Sequence, residues 1–281
     1  MNVMAALRAE LLKLRKRPAV WILLLALAAA VLLFGYVLLY AIAMQTSGEA
    51  AQAGLNESVI IGQLRPSNLP SQVLAIVSGF GGALGLILGA LIAGSEYGWQ
   101  TVKTMTTQRP QRLALMTGRL LAVLVVCATL AFAAFFGGAA GTALLSLVRP
   151  AESATPGVLD VMSAFGAAVL IISVWCAIGF CLATLFRGTG SAIGLGLIYA
   201  FAVESVLGLL PLQGRAADIV GQALIDNNAT ALTAAVSASA PAAFGVPTVD
   251  IAVTQAVAVL LAYMAVAVLL ATTVFVRRDI G

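Results

Sequence analysis

Hydrophobic residues in this chain come in long blocks rather than in alternation. Residues 19–43 are uninterrupted apolar sequence, and further apolar runs cover about 73–93, 120–148, 161–186, 191–212 and 251–276. A helix needs about 20 apolar residues to cross a bilayer, so each run is read as a membrane-spanning helix. The expected fold is all-α: a polytopic integral membrane protein whose six transmembrane helices form one domain over residues 1–281. Ala41-Ile42-Ala43 matches a small-x-small cleavage site. The run before it is nevertheless longer than the about 7–15 residues of a signal peptide's apolar region, so it is read as a retained first span.

The segments between the runs differ in character. In residues 1–18, Met4, Leu7, Leu11 and Leu14 fall on one helical stripe, with Arg8, Lys13, Arg15, Lys16 and Arg17 around the rest. That spacing suits a helix lying in the headgroup layer, apolar side down. A charged tail that only sets orientation is the plainer alternative. The segment 44–71 is polar, and 213–250 is weakly amphipathic around Ile219, Val220, Ala223 and Leu224, which suits short helices dipping toward the bilayer. Arg187-Gly188-Thr189-Gly190 reads as a tight turn. Within the second run, Gly81, Gly85 and Gly89 recur every four residues, a face that lets another helix approach closely. Gly137, Gly138 and Gly141 in the third run either kink it or admit a neighbour.

Charge orients the bundle. With the N-terminus inside, twelve of the fifteen lysines and arginines fall on the cytoplasmic side, and Arg65, Arg149 and Arg215 fall outside. This positive-inside bias places both termini in the cytoplasm. Composition agrees with the membrane reading: 62% of residues are hydrophobic, mean hydropathy is +1.07, and 9% are charged, against about 25% in a soluble domain. Two Asn-x-Ser/Thr triplets, at Asn56 and Asn228, fall in the outside segments and are ascribed to chance.

The missing residue types narrow the chemistry. The sequence has no histidine, which excludes a Ser–His hydrolase, a histidine proton relay and a histidine-ligated metal site. Cys127, Cys176 and Cys181 all lie in apolar runs and are read as buried free thiols, with no metal site expected. No lysine follows a glycine, so the phosphate-cradling GxxxxGK[ST] loop is missing from this sequence.

Two places stand out as candidate sites. Glu204 is the only acid inside an expected span. Such a carboxylate is either a substrate or proton site, or a hydrogen-bonded group that ties helices together. The other is the stretch from Ser95 to Arg119, the long basic interruption between the second and third runs. Tyr97 and Trp99 carry rings suited to the membrane interface. Residues Tyr97 to Thr107 suit a short helix that Pro110 stops, after which Arg112 and Arg119 lead back into the membrane. An ordinary basic loop is the plain alternative, but a connection that only turns needs just a few residues.

The strings Glu96-Tyr97-Gly98-Trp99-Gln100-Thr101-Val102-Lys103, Arg109-Pro110-Gln111-Arg112 and Gly118-Arg119-Leu120-Leu121-Ala122 resemble the segment between the second and third spans of ABC-2-type permeases. These are the membrane subunits of ATP-binding-cassette exporters. The basic amphipathic start and the ending Phe275-Val276-Arg277-Arg278-Asp279 are similar to that family too. Gln100 stands where the family has glycine, and Arg119 where it has lysine.

The resemblance implies a permease that pairs with a second permease subunit, identical or related, and docks on a separate ABC ATPase. ATP and Mg would then sit on that ATPase, with no cofactor and no enzymatic activity in this chain. It also implies that 95–119 is the coupling loop, with Glu96, Tyr97, Trp99, Thr101, Lys103, Arg109 and Arg112 meeting the ATPase. The expected surroundings are a cell membrane, as in the bacterial inner membrane, with lipid and protein partners and no nucleic acid. Two other readings stay open: a proton-coupled secondary transporter using Glu204, and a non-transport assembly or signalling module.

Overall fold

The computed structural model describes residues 3–45, 57–98, 112–148, 155–209, 215–236 and 251–277. Every regular element among them is helical. Long blocks of Leu, Ala, Val and Ile with few breakers leave the backbone one way to satisfy its own polar groups in a hydrocarbon setting, which is the helix. The elements are α1 (Val3–Arg15), α2 (Pro18–Gln45), α3 (Glu57–Gln63), α4 (69–98), α5 (Arg112–Val148), α6 (Val158–Phe186), α7 (189–209), α8 (Arg215–Ala223), α9 (Ile225–Val236) and α10 (Val253–Arg277). Five of them, α2, α4, α5, α6 and α10, are long and apolar enough to cross a membrane, and α7 is a shorter apolar helix. The protein is thus a multi-pass membrane protein.

The helices outrun the apolar blocks. α4 begins before the expected Val73 and runs on to Gly98, while α5 begins at Arg112 rather than at Leu120. Polar residues next to a span continue its backbone ladder once they reach water, so hydropathy marks the immersed part and not the helix end. The expected short helix Tyr97–Thr107 lies outside the described residues, except for Tyr97 and Gly98, which belong to the end of α4.

α6 is the centre of the bundle: 67% of its most apolar window is buried, against 17% for α10. It packs on α4, α5, α7, α9 and α10. The α4–α6 seam is built on small residues. A Cβ on Gly89 would collide with the Cys176 carbonyl oxygen, one on Gly85 would lie 2.7 Å from the Ile172 carbonyl oxygen, and one on Gly179 would collide with the Leu86 carbonyl oxygen. Such backbone-to-backbone approach is what small-residue faces supply in lipid, where packing replaces the hydrophobic effect as the source of association.

Gly81 does not join that seam. A Cβ there would meet Val77 of its own helix at 2.9 Å, and Gly82 instead faces the Trp175 ring. The cause is a π-helical stretch, Val77–Gly81, which adds a residue to one turn and rotates the face. α2 and α7 carry similar stretches at Leu33–Val37 and Ile198–Val203. Phe34 and Phe80, from two of these stretches, stack with ring centroids 4.9 Å apart. In α5 the glycines admit neighbours without breaking the helix: Gly137 meets the Ala28 backbone and Gly141 the Tyr36 ring. Arg187 ends α6 in the left-handed region, φ 54°, where glycine is the usual choice.

Candidate functional site

The structure braces both roots of the Ser95–Arg119 stretch with the N-terminal helix. At the α5 root, α1 lies against the first turns of the helix. A Cβ on Gly118 would come within 2.5 Å of the Ala6 Cβ, so the glycine permits the contact. One residue on, Arg119 reaches Glu10 at 3.6 Å, and both side chains are buried, with 4% and 5% of their surface exposed. Lys13 lies 3.4 Å from the same carboxylate. Removing one partner of a buried pair of this kind is costly, because the charge left behind loses a counter-charge where water is scarce. Met116 and Ala122, on the same stretch of α5, are buried as well.

At the α4 root the corner between α1 and α2 takes over. Arg17 donates to the Leu91 carbonyl oxygen at 3.3 Å. Pro18 starts α2 directly after it, since proline at the first helical turn loses no hydrogen bond. On the other flank, Gly94 packs against Thr189 at the start of α7. α1 and its corner therefore touch both helices that enter the stretch. The two helix ends that flank the stretch are thus linked through α1 and its corner.

The face of α1 that packs against the rest of the protein shares only Leu14 with the leucine stripe expected to face lipid. Ala6, Glu10 and Leu14 are buried, while Met4 is 58% exposed and Leu7 and Leu11 are partly covered. The inward face is narrow because a small residue and an ion pair make it, and neither registers in hydropathy. Of the residues expected to meet an ATPase, Glu96 and Tyr97 lie in the last turn of α4 and Arg112 opens α5. Trp99, Thr101, Lys103 and Arg109 lie outside the described residues. Glu10 is not among the residues that the spacing and charge of residues 1–18 single out. The sign was there: it is the single acid among the residues of α1.

Glu204 sits at the opposite end of the bundle and is buried. Its two carboxylate oxygens accept the backbone N–H of Ile225 at 3.2 Å and of Asp226 at 3.0 Å. Those are the first two residues of α9, whose N-terminal amides have no partner within their own helix. An anion at a helix N-terminus also meets the positive end of the macrodipole. Around it, Tyr263 of α10 donates to the Ala223 carbonyl oxygen at 3.1 Å, and the buried Asn228 donates to the Leu224 carbonyl oxygen at 2.7 Å. Glu204 thereby clasps the start of α9 to α7, while α9 packs between α10, α6 and the first turns of α4.

Among the described residues no cluster of His, Cys, Asp or Glu is arranged to hold a metal ion. The three cysteines are buried free thiols.

A family model described as an ABC-2 family transporter protein matches residues 6–203. That range takes in α1 with Ala6 and Glu10, the Ser95–Arg119 stretch, and everything up to the residue before Glu204. No curated protein matches the chain. On a match that covers well over half of its length, the chain belongs to the ABC-2 family of transporter proteins.

Proposed function

We propose that this transport permease is one membrane subunit of an ABC exporter and is driven by a separate ATPase seated on the cytoplasmic stretch 95–119. Two permeases, identical or related, would enclose the substrate path, and ATP with Mg would be held by the ATPase. The observation that carries this reading is the double brace at the roots of the stretch, set in a chain whose family match covers it. A coupling element has to turn rigid-body motion of a docked partner into motion of membrane helices. An unbraced loop would absorb the push. Here α4 and α5 are tied at that end through α1, so displacement of the loop displaces both.

In this mechanism Trp99 is the apolar anchor, Glu96 orients the joint, and Arg109 and Arg112 meet acidic groups of the ATPase. Tyr97, Thr101 and Lys103 complete the docking face. Both termini and the basic residues of α1 face the cytoplasm, in line with the positive-inside bias. α7 serves as the sixth crossing.

The double substitution Trp99→Ala with Arg112→Ala tests the proposal. ATPase activity of the reconstituted complex should persist while transport falls, with membrane insertion unchanged. Transport at the wild-type rate in that variant, or transport that continues under a proton gradient after ATP is removed, would overturn the reading.

A further inference from the structure

A crevice of about 520 Å³ lies between α2 and α5, with α1 across one end. Its floor is formed by Leu14, Val20 and Val126, all buried. Its walls are the exposed side chains of Leu25, Phe132 and Phe136. The far end is shut where Gly137 meets the Ala28 backbone. On α5 the lining runs from Val125 to Phe136, about 16 Å of helix at 1.5 Å per residue. That is roughly half of a bilayer's hydrocarbon core of about 30 Å, the depth of one leaflet.

The open end is not apolar. Arg15 lines it, and the Trp21 indole donates to the Arg15 carbonyl oxygen at 2.9 Å. Arg8, seven residues before Arg15, falls on the same face of α1, and both side chains are exposed. The one acid of α1, Glu10, is turned inward onto Arg119. The mouth of the crevice therefore presents the Arg15 cation, with Arg8 about two helical turns along the same face of α1, and no acid of α1 opposes them.

We infer that this crevice is a binding site for an anionic phospholipid of the surrounding leaflet, with one acyl chain between α2 and α5 and the phosphate at Arg15 and Arg8. An apolar slot one leaflet deep takes a chain, and a pair of guanidinium groups at its mouth selects the headgroup charge. Trp21 belongs where chain and headgroup meet, because its ring is apolar and its N–H is polar, held here by the Arg15 carbonyl oxygen. The lipid would stabilise the seat of α1, since the same helix forms the crevice roof and carries Glu10.

Trp21 is also the reporter. The full-length protein is reconstituted with acyl-brominated phosphatidylglycerol or phosphatidylcholine, and quenching of Trp21 is obtained by difference from Trp21→Phe. Brominated phosphatidylglycerol should bind about five-fold or more tightly than phosphatidylcholine, the gain expected of one arginine near an anionic headgroup. Arg15→Gln together with Arg8→Gln should bring the two lipids close to parity. Ala133→Leu, which adds bulk to the crevice, should weaken quenching by both lipids. The buried Trp175, retained in every variant, monitors the fold. Equal quenching by the two lipids in the wild type overturns the inference. So does a Trp21 that neither lipid quenches, the result if a second copy of the chain or another protein covers the crevice.

Discussion

Replacing Glu204 by alanine strands two amides at the start of α9. In the native protein these N–H groups lie 3.2 and 3.0 Å from the carboxylate oxygens. Ile225 is fully buried, so its amide gains no water in exchange. A buried donor left without an acceptor costs about 1–3 kcal/mol, and the Asp226 amide, nearer to water, costs less. About 2 kcal/mol is thus the expected loss of α9 docking, or about 30-fold in the equilibrium for its local opening. Hydrogen exchange reads this directly: amides in 225–236 should exchange about 30-fold faster in the variant, while those of α6 keep their protection. Glu204→Gln retains one acceptor oxygen and should give a smaller effect, of about 1 kcal/mol. Unchanged α9 protection in the alanine variant would refute the clasp. A glutamine variant with native α9 protection but no transport would give Glu204 a protonation role that the clasp does not explain.

Two further outcomes follow from the packing. Arg119→Ala leaves the Glu10 carboxylate buried with Lys13 alone, a loss of about 3 kcal/mol, the lower end for breaking a buried pair. α1 should then become sensitive to limited proteolysis, and Arg119→Lys should largely protect it. Gly89→Ala drives a methyl group into the Cys176 carbonyl oxygen. Because the obstacle is backbone, the cost should reach the upper part of the about 1–3 kcal/mol typical of overpacking, seen as a lower unfolding midpoint in detergent. Gly62→Ala, where nothing lies within 4 Å of the added group, is the matched control.

The hydropathy blocks alone determined that this chain is helical and multi-pass, and roughly which residues are immersed. Burying about 20 apolar residues per helix is a large and local effect, so a single sequence displays it. Gly85 and Gly89 were legible as a packing face for the same reason, their spacing being that of one helix side. Gly81 shares the spacing but not the seam, because a π-helical turn intervenes and its position depends on how α4 settles on α6. The basic stretch 95–119 was legible from charge and motif. What braces it was not: Glu10 meets Arg119, and Arg17 meets Leu91, across long separations in sequence. Glu204 could be singled out as a costly acid in an apolar helix, but its task could not be read, since its partners are backbone amides that every residue carries. Sequence fixes which groups need partners, through desolvation and periodicity. Only the tertiary structure decides which partners they find, because that depends on where separate helices meet in space.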